Sequence, residues 1–175
     1  MIEFFKLLGR IFGLSPATPL PIVSVSIPLG SGYTKRQPPA EGHSRLLDDA
    51  EPELAKRYLQ LAAEYKLTTG HDLFITCTYR TPKEQFDLYA RGRTTPGAVV
   101  TMIDGLKIKS RHNYYPSQAV DVCVDLAPDN RLKIPVWDPK YYTALGPLCA
   151  KYGLEWGGNF KSFKDYPHIQ LPAKW

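Results

Sequence analysis

Two short segments of this 175-residue chain, 110–121 and 156–168, each hold one histidine and one aspartate, and they lie well apart in sequence. His112 and Asp121 stand in the first, Asp165 and His168 in the second. A fold that uses them together must lay one segment beside the other. A catalytic zinc site draws three protein ligands from His, Asp, Glu and Cys, leaves one position open to water, and needs a base nearby for that water's proton. His112, Asp121, His168 and Asp165 are enough groups for those four roles.

The rest of the chain reads as a scaffold for such a site. Asp49-Ala-Glu-Pro52 has the form of a cap and first turn, and Leu54, Tyr58, Leu61, Ala62 and Tyr65 recur at helical spacing to about Lys66. Asp72 to Tyr79 is a β-rich run suited to a central strand, and Thr81-Pro82 opens a second helix through Phe86, Leu88 and Tyr89 to about Arg91. Val99 to Ile103 is a strand candidate, and Ala119 to Val124 alternates faces as a short strand. Tyr141 to Tyr152 reads as a third helix ended by Gly153, and His168 to Leu171 as a last strand. This order predicts an α+β fold: a small, largely antiparallel sheet packed with about three helices, the zinc site in a surface cleft. No internal repeat or Rossmann glycine fingerprint interrupts it.

Residues 1–40 differ in kind. Met1 to Leu14 presents a wide apolar face of Phe4, Phe5, Leu7, Leu8, Ile11, Phe12 and Leu14, broken by Lys6 and Arg10. It is too short and charged to span a bilayer or to serve as a secretory signal, so no signal peptide is recognised. Contact with a membrane surface or a partner stands beside simple packing on its own domain. A Pro/Ser/Gly-rich linker follows, with one possible edge strand at Ile22 to Ile27, and residues 41–175 form the expected catalytic domain. A net charge of +5 favours polyanions such as cell-wall polymer, nucleic acid or anionic lipid. Without a basic run of five or more, an RNA-binding aromatic signature or a helix-turn-helix pattern, nucleic acid is set aside. Cys77, Cys123 and Cys149 are too few and too scattered for a disulfide framework and are expected to be small buried hydrophobes.

The segment from Ser110 to Asp121 resembles the S-x-H-x-x-G-x-A-x-D signature of the D-alanyl-D-alanine carboxypeptidase-like zinc metallopeptidases. Trp156-Gly-Gly-Asn-Phe-Lys-Ser-Phe-Lys-Asp-Tyr-Pro-His168 resembles the W-G-G-x-W-x-x-F-x-D-x-P-H ending of that family's L-alanyl-D-glutamate endopeptidase branch, which contains many phage endolysins. Cys-Thr-Tyr-Arg80-Thr-Pro-Lys-Glu-Gln85 is similar to the branch's S-x-x-R-T-x-x-E-Q segment. The resemblance implies that His112, Asp121 and His168 bind zinc, that Asp165 is the general base, and that Arg80 holds the scissile carbonyl and stabilises the oxyanion. The chemistry is coherent, since zinc lowers the pKa of water from about 15.7 to about 7. Arginine, unlike lysine, keeps its charge beside a forming anion.

The chain departs from the pattern in two places. From His112 to Asp121 it is two residues longer, with Tyr114 to Gln118 in place of the family's glycine; this reads as a loop insertion that leaves Asp121 in register, with Asp125 as its competitor. Phe160 replaces the second tryptophan, a change of packing or substrate contact. Trp156 is expected in the core, Ser110 as a cap or site hydrogen-bonder, Glu84 and Gln85 on the second helix, and His43 and His71 exposed or capping. The expected function is zinc-dependent hydrolysis of the L-alanyl-D-glutamate bond in the peptidoglycan stem peptide. The protein would act as a monomeric phage or prophage endolysin held in the host cytoplasm before it reaches the wall. Two rivals stand beside it: a D-alanyl-D-alanine carboxypeptidase or dipeptidase, and a non-catalytic wall-binding or virion-associated protein. A base and an oxyanion donor argue against the last, because pure binding needs neither.

Overall fold

The computed structural model describes residues 36–126 and 133–173, so the expected N-terminal helix at 1–14 and the strand at 22–27 lie outside the described residues. Helix α1, Pro52–Thr69, begins with proline in its first turn and stops at Gly70. There the backbone turns left-handed (φ 74°) and the Gly70 N–H closes on the Lys66 carbonyl. Leu54, Tyr58, Leu61 and Tyr65 fall on one stripe of this helix, and all four are buried. That stripe packs on the sheet beside helix α3, Leu145–Lys151. Helix α2, Pro82–Ala90, is capped by Thr81, whose side chain accepts from the Glu84 N–H.

The sheet contains β1 (Asp72–Cys77), β2 (Ala119–Asp125), β3 (Pro135–Val136), β4 (Glu155–Trp156) and β5 (His168–Gln170). Its order is β1-β2-β5-β4, with β3 also on β2, and every pairing is antiparallel. Strand alternation sorts the side chains. Val120, Val122, Val124, Ile169 and Leu171 enter the core with α1 and α3, while Asp121 and His168 point to the opposite face. Asp121 is paired directly with His168, so both carry their side chains to the same side at the closest cross-strand distance. The α+β expectation therefore holds, with three α-helices among the described residues.

Three local expectations are corrected. The stretch Val99 to Ile103 forms no strand; it is an irregular wall segment held by side-chain hydrogen bonds described below. The helix expected over Tyr141 to Tyr152 is divided into a 3-10 turn, Pro139–Tyr142, and α3 from Leu145. Pro147 explains the division, because proline lacks the N–H of an interior helical residue and fits only within a first turn. Asp49 does not cap α1, whose N-cap is Glu51. Instead Asp49 is buried, accepting from Ser44 Oγ at 2.5 Å and from the Tyr115 hydroxyl at 3.0 Å.

The stripe on α1 sets a contrast that chemical unfolding can measure. Leu61→Ala removes a fully buried side chain and is expected to lower the unfolding free energy by about 3 kcal/mol. Leu59→Ala, on the same helix but 43% exposed, should change it by less than about 0.5 kcal/mol.

Candidate metal centre

Three donor atoms converge on the open face of the sheet. His112 Nε2 lies 3.0 Å from Asp121 Oδ1 and 3.2 Å from His168 Nδ1, and His168 Nδ1 lies 3.0 Å from the same Asp121 oxygen. Tetrahedral zinc with ligands at about 2.0–2.1 Å would set its donors about 3.3 Å apart, so this triangle is close to the size of one face of such a site. The tautomers agree with that use. His112 Nδ1 sits 2.6 Å from the Thr78 carbonyl, which can only accept, so the ring proton is on Nδ1 and the Nε2 lone pair faces Asp121. A lone pair aimed at a carboxylate oxygen is unfavourable unless a cation or proton lies between them. The residues present therefore fit a divalent metal.

Each donor is placed by its surroundings. Ser110 caps the 3-10 turn Arg111–Asn113 that carries His112. Asn113 Nδ2 donates to the Arg80 carbonyl, and the Arg80 N–H donates to the His112 carbonyl, so the two segments are stitched together. The lengthened Tyr114 to Gln118 loop is anchored by Tyr115 on Asp49, by the Ser117 N–H on the Asp49 carbonyl, and by Ser117 Oγ on the Thr78 and Ala119 carbonyls. These anchors absorb the extra residues and leave Asp121 opposite His168. Asp125 lies at the far end of β2, opposite Asp72, and its Oδ1 accepts from the Ile134 N–H.

Asp165 precedes His168 by one tight turn, in which the His168 N–H donates to the Asp165 carbonyl at 3.2 Å. The Asp165 N–H in turn donates to the Gly157 carbonyl at 3.0 Å. A Cβ on Gly157 would overlap the Asp165 carbonyl oxygen and stand 2.9 Å from His168 Cβ, so the first glycine of Trp-Gly-Gly allows this approach. One oxygen of the Asp165 carboxylate falls within 4.8 Å of donor atoms of Asp121 and His168. It accepts no hydrogen bond among the described residues. Phe160 tilts against His168 with ring centroids 5.8 Å apart, whereas Trp156 is buried and donates its indole N–H to the Tyr166 carbonyl.

Arg80 reaches the centre from beyond β1. Its Nη2 donates to Asp121 Oδ2 at 3.0 Å and its Nη1 to Gln85 Oε1 at 2.9 Å. Gln85 is 1% exposed and also donates to Thr101 Oγ1 and the Ile103 carbonyl, joining α2, Arg80 and the 101–103 wall. Gly105, at φ +75°, permits that contact, because a Cβ there would come 2.6 Å from Gln85 Cβ. His112, Asp121, Asp165, His168 and Arg80 all line one cleft of about 700 Å³. The buried role of Gln85 has no periodic signal to announce it. Gln170, which contacts His168, lies two residues further along the same strand, and that spacing alone is enough to place it on the site face.

The electrostatics follow from burial and the short distances. Burial resists charge on Asp121, but in the metal-free chain the charge and hydrogen bonds that His112 and His168 offer when protonated hold its carboxyl well below the ordinary range. Burial pushes His112 down, while in His168 the hydrogen bond and charge of Asp121 outweigh burial and raise it. Asp165 is pushed up to about 6, first by burial and then by the Asp121 charge. Cys77 and Cys149 are buried free thiols pushed up to about 12 by burial, as small hydrophobes would be. His43 pairs with Glu84 at 2.7 Å, and half-buried His71 meets Tyr141 edge to face.

Comparison with known proteins follows the same residues. Residues 104–171, which include His112, Asp121, Asp165 and His168 but not Arg80, match the D-alanyl-D-alanine carboxypeptidase family model. The chain is 34% identical over 111 residues to the peptidoglycan L-alanyl-D-glutamate endopeptidase CwlK of Bacillus subtilis strain 168, covering 58% of this chain and 62% of that protein. It thus spans less than two thirds of the relative's length. The crystal structure of the Serratia marcescens L-Ala D-Glu endopeptidase ChiX aligns with a TM-score of 0.51 and 25% identity, over 73% of this chain and 84% of that one. The resemblance read from the motifs is thereby shown on sequence and on structure.

Two outcomes test this geometry. The folded-state pKa of Asp165, about 6, lies above its ordinary 3.8, so stability from the neutral carboxyl is full at low pH and lost as pH rises through about 6. Metal-free Asp165→Asn should therefore melt above the metal-free wild type at about pH 8, with the difference gone near pH 3. Gly157→Ala should keep the core, seen as an unchanged far-ultraviolet circular dichroism spectrum, yet weaken metal uptake measured by titration, because it displaces the Asp165–His168 turn.

Proposed function

We propose that the chain is a zinc-dependent peptidoglycan endopeptidase that cuts the L-alanyl-D-glutamate bond of the stem peptide. The observation that carries this reading is the triangle of His112 Nε2, Asp121 Oδ1 and His168 Nδ1, with the Asp165 carboxylate, unbonded among the described residues, beside it in the cleft. The similarity to CwlK and ChiX supports the choice of bond.

On this reading His112, Asp121 and His168 hold the metal. Zinc bound there supplies a Lewis acid and brings the pKa of water down to about 7. Asp165 takes a proton from the attacking water as the water oxygen adds to the alanyl carbonyl carbon. It then returns that proton to the glutamyl nitrogen as the C–N bond breaks, leaving a carboxylate and a free amine. Arg80 contributes a permanent positive charge for the oxyanion, and its bond to Asp121 Oδ2 leaves Oδ1 to face the two imidazoles. The enzyme would serve as a phage or prophage endolysin, held in the host cytoplasm until it gains access to the wall.

The D-alanyl-D-alanine carboxypeptidase reading is favoured by the description of the matched family and shares the same metal centre. Purified peptidoglycan digested with wild type, chelated and zinc-restored protein separates the two by mass spectrometry. New D-glutamate amino termini support the endopeptidase, released D-alanine supports the carboxypeptidase, and the absence of any metal-dependent product sinks both. His112→Ala, Asp121→Ala and His168→Ala are expected to lose bound zinc, whereas Asp165→Ala should keep it and lose turnover by about 100-fold or more. Loss of zinc in Asp165→Ala would show that ligand and base are misassigned. Asp165 must be ionised to act, so activity falls as pH drops; a bound dication offsets the Asp121 charge, placing the acidic limb of the pH–rate profile at or below about 6.

A further inference from the structure

His112 and His168 each turn one ring nitrogen toward Asp121, but different groups fix the proton on the other nitrogen. Behind His112 stands the Thr78 carbonyl, a backbone acceptor that no side-chain change can reverse. Behind His168 stands an amide: His168 Nε2 lies 2.9 Å from Gln170 Oε1. An amide can offer either its oxygen or its NH2 group after a half-turn, so Gln170 alone does not determine where the His168 proton sits.

The determination comes one residue further away. Gln170 Nε2 donates to Glu155 Oε2 at 2.7 Å, and Glu155 is the direct partner of Gln170 in the β4–β5 pairing. A carboxylate only accepts, so it holds the amide nitrogen on its own side and turns the amide oxygen toward His168. Were Gln170 to turn, its oxygen would meet the Glu155 carboxylate, acceptor against acceptor. Its NH2 group would face His168 Nε2, and the ring proton would have to move to Nδ1, into the donor triangle.

We propose that Glu155 and Gln170 are positioning residues that keep the His168 proton on Nε2, so that Nδ1 remains a lone-pair donor for a divalent cation. This inference rests on the metal-centre reading. Gln170 lines the catalytic cleft, while Glu155 lines a separate cavity of about 390 Å³ beside Cys149, Trp156 and Asn159. The side chain that sets the metal ligand's polarity thus lies one strand away from the reacting atoms. His168 has a backbone register to place it and a side-chain relay to orient its proton; His112 needs only the backbone.

The test uses the full chain and zinc alone. Glu155→Gln keeps the shape but not the polarity of the relay, since an amide at that position can present either end. The double change Glu155→Gln with Gln170→Glu reverses the two partners and restores an acceptor against His168. Zinc affinity, measured by competition with a chromogenic chelator, should fall about 10- to 100-fold in Glu155→Gln and recover largely in the double variant. Nitrogen NMR shifts of the His168 ring in the metal-free chain, at a pH where the ring is neutral, should show a larger Nε2–H share in wild type than in Glu155→Gln, the Asp121 carboxylate at Nδ1 being the competing acceptor in both. Unchanged affinity and unchanged ring shifts in Glu155→Gln would overturn the proposal, as would a double variant no better than the single one with both folded by thermal melting. A wild type that binds no zinc while its ring shifts respond to Glu155→Gln would sink the metal reading and support the proton assignment.

Discussion

The pairing of Asp121 with His168 across β2 and β5 is the constraint on which the rest depends. It joins segments far apart in sequence and puts a carboxylate and an imidazole on the same side of the sheet. Their neighbours Val120, Val122 and Ile169 take the opposite side and build the core. A slip of one residue in this register would drive His168 among apolar side chains and turn Ile169 to the cleft. Burial of the core and assembly of the donor triangle are therefore two results of one alignment.

Around that pairing, the molecule surrounds its charged centre with fixed partners. Arg80 takes the second oxygen of Asp121, the Thr78 carbonyl takes the far nitrogen of His112, and Gln170 takes the far nitrogen of His168. Asp165 differs: its half-buried carboxylate stands near a negative neighbour and, among the described residues, accepts no hydrogen bond. Such an arrangement raises the cost of ionising it and keeps it receptive to a proton, which suits the base role proposed for it.

Much of this architecture is legible in the amino-acid sequence. The alternation in Ala119 to Val124 and the helical stripe from Leu54 to Tyr65 are periodic signals, and periodicity identifies which side of an element is buried. The site residues stand out because chemistry-bearing side chains lie in short segments similar to known motifs. The features that sequence does not disclose are non-periodic. Pro147 divides a helix whose apolar spacing looks continuous, and Val99 to Ile103 has β-prone composition but no strand to pair with. Asp49 has the local form of a cap, whereas its actual partners, Ser44 and Tyr115, are set by tertiary contact. Gln85 falls in a recognised motif, but its burial against Thr101 and Ile103, like the contact of Glu155 with Gln170, is set by tertiary packing that helical or strand periodicity does not announce.

Gln85 carries one more consequence. Its amide is buried and fully engaged, with Arg80 on one side and Thr101 and Ile103 on the other. Pulling the 101–103 wall outward would strand that amide, at a cost of about 1–3 kcal/mol for each unmet polar group. It would also slacken the guanidinium that holds Asp121. The cleft is consequently poor at moulding itself to a visitor. On the peptidase function proposed above, such a cleft would select among stem peptides by admitting those whose outline already matches the wall, with discrimination built into stiffness more than into the number of contacts offered.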